Sequence, residues 1–261
     1  MAKLSKAQAK AHQQACDLLA KDVLTEDDKY FVLENWQESA KHINTIAGAF
    51  FTPVELARSF SIEVCGNRVI DLCAGIGGLS FAYRQKCLWG SVRPEIICIE
   101  QNPDYVAVGR KILPEATWIV GDVFSLPAGL GRFDCAISNP PFGATPRNAG
   151  QGPRYRGREF EYHVIDIASD LADWGVFIIP QTSAPFEYSG KPNYRERIGD
   201  QHRKLQEMTG IVLLPNCGID TSACDGQWHG VSVRTEIVIA DFEEARATRA
   251  PVQAEMFGEA A

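Results

Sequence analysis

A chain of 261 residues with 45% hydrophobic and 23% charged side chains can close a large hydrophobic core as one domain with a small appendage, which excludes bulk disorder. Its 26 Lys and Arg stand against 33 Asp and Glu, a formal charge of -7, so any nucleic-acid partner needs a local basic surface rather than a global positive field. Eight cysteines without a CxxC pair, largely in apolar runs, argue against a secreted disulfide scaffold and for a reducing, cytoplasmic setting.

The polar opening MAKLSKAQAKAHQQACDLLAKD is expected to be neither a secretory signal nor a membrane span. Residues 5–22 combine Ala, Leu and Gln with Lys and Asp, and Asn35 to Ile46 spaces Trp36, Ala40, Ile43 and Ile46 at helical intervals. Residues 1–47 are therefore predicted as a helical N-terminal appendage. In GAFFTPVELARSFSIEV, Thr52 suits an N-cap, Pro53 the first helical position and Glu55 the closing residue of a capping box, predicting a helix from Pro53 to Val64. Short apolar runs follow, RVIDLC, EIICIE, ATWIVGD, RFDCAISN and WGVFIIP, separated by segments that predict helices at Leu79–Lys86, Pro103–Leu113 and Phe160–Ala172. That alternation is the pattern of a parallel sheet covered by helices. Beyond Gln181 it weakens, until IVLLP and SVRTEIVIADF predict a late strand pair that gives the sheet an antiparallel edge. The domain boundaries expected are 48–243 for the catalytic unit, with insertions near 143–160 and 184–210, and 244–261 for a flexible tail.

The strongest local feature is RVIDLCAGIGGLSFAY, in which a strand ends at Asp71 and Leu72 and a glycine turn leads into a helix at Leu79. Gly75, Gly77 and Gly78 let backbone approach a ligand closely, as in sites for adenosine-containing cofactors, although a tight structural turn has the same look. The next strand ends at Glu100, 29 residues after Asp71, where an acidic side chain can accept from a ribose diol. A third strand ends IVGDVF, so Asp122 can accept from an adenine amine while Phe124 covers the ring. The fourth ends in SNPPFG. Two prolines remove amide donors and leave carbonyl acceptors, Asn139 adds a side-chain carbonyl, and Phe142 offers a stacking plane. Such an array suits the amine of a nucleobase withdrawn from a helix or presented in a single strand.

DLCAGIGGL, Glu100, GDVF and SNPPF in this order, with AFFTP before them, resemble the S-adenosylmethionine-dependent adenine-N6 methyltransferases of the Asn-Pro-Pro-Phe type, over roughly residues 48–181. The resemblance implies an α/β fold, a Rossmann-like seven-stranded methyltransferase sheet with an antiparallel edge strand and helices on both faces. It implies S-adenosyl-L-methionine as cofactor, held by Phe51, Thr52, Pro53, Asp71, Ala74, Gly75, Gly77, Glu100, Asp122 and Phe124, and a target-base role for Asn139, Pro140, Pro141 and Phe142. DNA is the expected substrate, with relaxed or short-sequence specificity because little chain is left for a sequence-reading domain. An RNA adenine methyltransferase, a protein glutamine-N5 methyltransferase and a non-catalytic nucleic-acid-binding module are the alternatives.

The segment GATPRNAGQGPRYRGREF carries Arg147, Arg154, Arg156 and Arg158 with no acid from Gly143 through Arg158, and is expected to form a mobile arm that contacts phosphate, with Tyr155 in it. Lys191, Arg195, Arg197, Arg203 and Lys204 could extend that face, with a solvated helix surface as the competing account. The five His show no compact ligand spacing, so no metal is expected. Gln253 to Phe257, QAEMF, is similar to the peptides that engage bacterial sliding clamps, and an unstructured tail is the plain alternative.

Overall fold

A computed structural model describes residues 5–37, 50–88, 90, 93–144, 150–228 and 233–249. Two capped helices open the chain, α1 (Lys6–Leu19) and α2 (Glu26–Asn35). Ser5 with Gln8, and Thr25 with Asp28, form reciprocal capping boxes, and Glu26, Asp27 and Asp28 place negative charge at the positive end of α2. Ala15, Val32 and Leu33 are buried in the same core as Leu56, Phe60 and Phe81, so α1 and α2 pack on the main body. The helix expected over Asn35–Ile46 is not continued from α2: Trp36 is already extended, and residues 38–49 lie outside the described residues.

Helix α3 (Val54–Phe60) begins one residue later than predicted and has no side-chain cap, because the Thr52 hydroxyl expected to cap it accepts from Asn139 instead. At its other end, the Lys86 ammonium donates to the carbonyls of Ser61, Ile62 and Val64, satisfying groups that a helix terminus leaves open.

The predicted alternation of strands and helices follows: β1 (Arg68–Leu72), α4 (Gly78–Leu88), β2 (Glu95–Glu100), α5 (Pro103–Ile112), β3 (Thr117–Val120), β4 (Phe133–Ser138), α6 (Phe160–Leu171) and β5 (Ala172–Pro180). A small hairpin, β6 (Phe186–Glu187) and β7 (Arg195–Glu196), precedes α7 (Asp200–Thr209) and β8 (Leu214–Pro215). A 3-10 helix (Thr221–Gln227), β9 (Thr235–Asp241) and α8 (Phe242–Arg249) complete the described chain, so residues expected to start the flexible tail are helical up to Arg249.

The main sheet has seven strands in the order β3-β2-β1-β4-β5-β9-β8. The first five are parallel, and β9 runs antiparallel to both β5 and β8, which gives the expected antiparallel edge. Strand periodicity divides the core between the two faces: Val69 packs with the α1–α5 side, and Ile70 and Leu72 with the α6–α8 side. Parallel strands bring the ends of β1, β2, β3 and β4 to one edge, where open α/β sheets bind ligands.

Candidate active site

The turn after β1 is held in an unusual backbone shape. Cys73 has φ 63, Gly75 φ 57 and Gly77 φ 87, and the turn is closed by Ala74 N–H to the Ile99 carbonyl at 2.9 Å and Gly77 N–H to the Ala74 carbonyl at 2.8 Å. A left-handed non-glycine residue such as Cys73 is a local strain of the kind found at ligand sites. A Cβ on Gly75 would come within 3.3 Å of the Phe51 ring, and one on Gly77 within 3.0 Å of Trp118, so close approach adds to the demand for glycine.

The turn forms one wall of a narrow cleft lined by Phe51, Thr52, Asp71, Ala74, Gly75 and Asn139 from the predicted set. Leu33, Phe50, Cys73, Ile76, Gly78 and Leu79 complete the lining; Leu33 comes from α2, which motif reading did not connect with the site. Asp71 is buried, its Oδ2 accepting from Ser80 at 2.6 Å while Oδ1 has no partner. Burial pushes its carboxyl up to about 7, with Ser80 opposing and the charge of Glu100 adding to the rise. Glu100 accepts from Gly75 N–H and Asn102 N–H, both at 2.8 Å, tying the end of β2 to the glycine turn. Burial raises its pKa, against the lowering effect of these backbone donors.

Asp122 and Phe124 stand one strand further along the same edge, beyond the cleft lining. Asp122 accepts from the Phe124 N–H at 3.0 Å, and the Phe124 ring meets Phe160 at a centroid distance of 5.3 Å. Pro53 sits at the start of α3, outside the lining, and Gly77 lies behind the turn on Trp118.

Asn139, at the end of β4, faces the AFFTP segment. Its Nδ2 donates to the Phe50 carbonyl at 3.0 Å and to Thr52 Oγ1 at 2.9 Å, which identifies the nitrogen end of the amide. Oδ1 is buried and without a partner. Pro140, Pro141 and Phe142 follow in the same loop, Phe142 packing near Phe50 at a centroid distance of 6.4 Å.

The arm after Phe142 departs from expectation. Arg147 lies outside the described residues. Tyr155 is fully buried, its ring 4.8 Å from His163 and its hydroxyl donating to Gln201 at 2.8 Å, so it stacks in the core and not on a ligand. Arg154 donates to both oxygens of Asp170, at 2.8 and 3.1 Å, and its backbone N–H donates to Asp166. Arg156 and Arg158 are exposed, Arg156 bonded to the carbonyls of Gly152 and Pro153, and Arg158 to Glu159.

Three residues of α6 hold this arm, and motif reading missed all of them. Glu161, fully buried, accepts from Gly143 N–H at 2.8 Å and from Ser183 Oγ at 2.5 Å. His163 accepts from Gly152 N–H through Nδ1, so Nε2 carries the proton and donates to the Gly157 carbonyl at 3.0 Å. Asp166 accepts the N–H groups of Arg154 and Tyr155. The glycines here serve packing: a Cβ on Gly152 would fall 2.6 Å from Asp166, and one on Gly150 2.4 Å from Phe124. The available signal was Glu161, His163 and Asp166 set into the otherwise largely apolar FEYHVIDIA.

No family model matches the chain, and no curated protein does. Solved structures do match. A candidate class I S-adenosylmethionine-dependent methyltransferase from Listeria monocytogenes is similar at 12% identity and TM-score 0.55, over 85% of this chain and 69% of that one. The methyltransferase subunit of a type I restriction-modification system from Streptococcus thermophilus is similar at 14% identity and TM-score 0.54, over 83% of this chain and 48% of that one. The type IIG restriction endonuclease BpuSI is similar at 16% identity and TM-score 0.51, over 83% of this chain and 27% of that one. At these identities the likeness is one of fold, and the fold is that of S-adenosylmethionine-dependent methyltransferases. The residues present fit that cofactor, which offers an ammonium, ribose hydroxyls and an adenine amine as donors: Asp71 brings an unpartnered carboxylate oxygen to the cleft, and Glu100 and Asp122 stand at the next two strand ends. Among the described residues no helix is long and apolar enough to cross a membrane.

Proposed function

We propose that the chain transfers a methyl group from S-adenosylmethionine to the exocyclic N6 of adenine in DNA, with relaxed or short-sequence specificity. One observation carries the reading: both Asn139 amide hydrogens are engaged by Phe50 and Thr52, which leaves Oδ1 as a buried acceptor with no donor in a residue that lines the cleft. A buried acceptor without a partner costs on the order of 1–3 kcal/mol, a cost that a donating substrate amine would remove.

When bound, S-adenosylmethionine would supply a methyl group whose bond to the sulfonium breaks as the bond to N6 forms, leaving a neutral thioether, and N6 would release one proton to solvent. Asp71, Glu100 and the turn through Ala74 and Gly75 would hold it. Asn139 Oδ1 and the Pro140 carbonyl accept the two N–H groups of the adenine amine, which withdraws the nitrogen lone pair from the ring and stabilises the positive charge that develops on that nitrogen. Pro140 and Pro141 present no N–H to compete with the amine, and Phe142 supplies a ring against which the base rests. That two of the similar structures are restriction-system proteins supports DNA as the first substrate to test, ahead of RNA.

Radiolabelled methyl transfer to DNA, RNA and protein, with nucleoside analysis of the product, tests the reading. Adenine methylated at N6 in DNA is the expected product. Asn139→Ala should remain folded and bind the cofactor, with some loss of melting temperature from the freed Phe50 carbonyl, and lower transfer about 100-fold, the order seen when a preorganised polar group at a reacting centre is removed. Transfer by this variant at the wild-type rate would sink the acceptor role. The Gln253–Phe257 peptide, outside the described residues, is proposed as a contact to a bacterial sliding clamp. Equal clamp binding by chains with and without the last nine residues rejects it.

A further inference from the structure

We propose that a ridge formed by the β6–β7 hairpin, the exposed face of α7 and the outer part of the arm binds the nucleic-acid strand that flanks the target base. The assignment rests on the adenine-methyltransfer reading and places its substrate surface on residues other than the inner arm, whose Arg154 and Tyr155 are held by Asp166, Asp170 and Gln201.

The ridge adjoins the catalytic loop. One buried carboxylate, Glu161, receives hydrogen bonds both from Gly143, the residue after Phe142, and from Ser183, three residues before the hairpin begins at Phe186. On the other side, the Lys204 ammonium donates to the Arg156 carbonyl at 3.4 Å and Tyr155 donates to Gln201, so α7 lies against the arm.

The hairpin is rigid at its root and open beyond it. Glu236, fully buried on β9, accepts from Gln181 Nε2 and from the N–H groups of Tyr188 and Ser189 through Oε1, and from Ser189 Oγ through Oε2. Arg197 N–H donates to the Pro185 carbonyl at 2.7 Å. Past this root, every residue from Gly190 to Asp200 is exposed. Tyr194 is 51% exposed and stacks on buried Phe186 at a centroid distance of 5.6 Å and an interplanar angle of 26°, which holds an aromatic ring at the surface.

Charge sets the kind of partner. Across the hairpin and α7, Phe186 to Thr209, the chain carries five cationic and four acidic residues in a protein of net charge -7, and Lys191 and Arg197 pair with Glu187 while Arg203 pairs with Asp200. Arg156, Arg195 and Lys204 have no carboxylate partner within salt-bridge distance among the described residues, whereas Arg154 is fully paired. Unpaired cations beside a surface-held aromatic ring match a phosphate backbone with bases available for stacking. Such a ring pre-positioned by Phe186 binds with little loss of side-chain freedom.

Fluorescence anisotropy with a labelled single-stranded DNA 20-mer containing adenines, across about 50 to 200 mM NaCl, tests the ridge. Arg195→Glu combined with Lys204→Glu leaves the Tyr194–Phe186 stack in place. It should weaken binding at least tenfold and reduce the salt slope by about one to two units, with cofactor affinity and melting temperature unchanged. Tyr194→Ala should weaken binding about tenfold with less effect on the slope. Wild-type affinity and slope in both variants, or no DNA binding by the wild type at 50 mM NaCl, would overturn the assignment. The measurement involves no methyl transfer, so a failure to methylate adenine would overturn the reaction reading while leaving the ridge to stand or fall on these affinities.

Discussion

Asp71 has one carboxyl oxygen in use and one without a partner, and Asn139 has its amide nitrogen engaged and its oxygen open. In Asn139 the engaged end is the nitrogen, so what the residue leaves open is an acceptor. In Asp71 the open oxygen lies in a buried setting, and burial moves the carboxyl from its ordinary 3.8 up to about 7. A carboxyl whose folded-state pKa is raised adds stability that is complete below the unfolded value and is lost as pH rises through the folded one. The wild type should therefore lose melting temperature between about pH 4 and 7 relative to Asp71→Asn, which cannot ionise and can still accept from Ser80, and the difference should level off above about pH 7. Thermal melts across that range check it, and parallel curves for the two proteins would refute it.

At the scale of elements, α6 joins the loop of residues 139–143 to the rest of the edge. Its first ten residues, Phe160 to Ser169, are all buried, and its Glu161, His163 and Asp166 accept backbone N–H groups from the loop and arm. Glu161→Ala leaves the Gly143 N–H without its acceptor. A displacement of about 1 Å at a reacting group can cost up to about 100-fold in rate, so kcat should fall by about one to two orders of magnitude with cofactor affinity retained. Glu161→Gln should recover most of it, since its oxygen can accept from Gly143 while its nitrogen donates to Ser183. Steady-state kinetics on both variants measure this, and a loss in Glu161→Ala that appears only as weaker cofactor binding would refute the positioning role. The strands and most helices were legible in the sequence because apolar periodicity reports which face is covered. The arm was misread because its composition, Gly and Arg without acids, reads as solvated, while the carboxylates that hold Arg154 and Tyr155 are 11 to 16 residues further on in a helix. The same remoteness hid the change at Thr52, whose hydroxyl fits a local cap but meets Asn139, 87 residues away.

At the scale of the whole molecule, α1 and α2 close one side of the core and contribute Leu33 to the cleft. Charge links them to the body: Glu26 accepts from Arg84 at 2.7 Å and Lys29 at 2.8 Å and also bonds Gln85, and Arg84 in turn pairs with Glu115. Burial works to raise the pKa of Glu26, but the hydrogen bonds from Arg84 and Lys29 outweigh it and lower the carboxyl from 4.5 to about 2. A depressed carboxylate contributes stability above its unfolded value that is lost as pH falls through the folded one. Glu26→Gln should thus melt below the wild type at pH 7, with the gap narrowing from about pH 4.5 and closing near pH 2. A gap unchanged between pH 6 and pH 3 would rule this out.

The sequence by itself determined the α/β alternation, the glycine turn and the order of acidic strand ends along it, because these depend on local periodicity and on residues whose backbone behaviour is intrinsic. Only the tertiary structure decided which charges remain available. Whether an arginine is paired internally or faces solvent depends on residues brought beside it by the packing of α6, α7 and the arm, and that proximity has no local signature in the chain. Exposed cations accordingly remain on the hairpin and α7, while Arg154 is taken up by Asp166 and Asp170 and Tyr155 by Gln201.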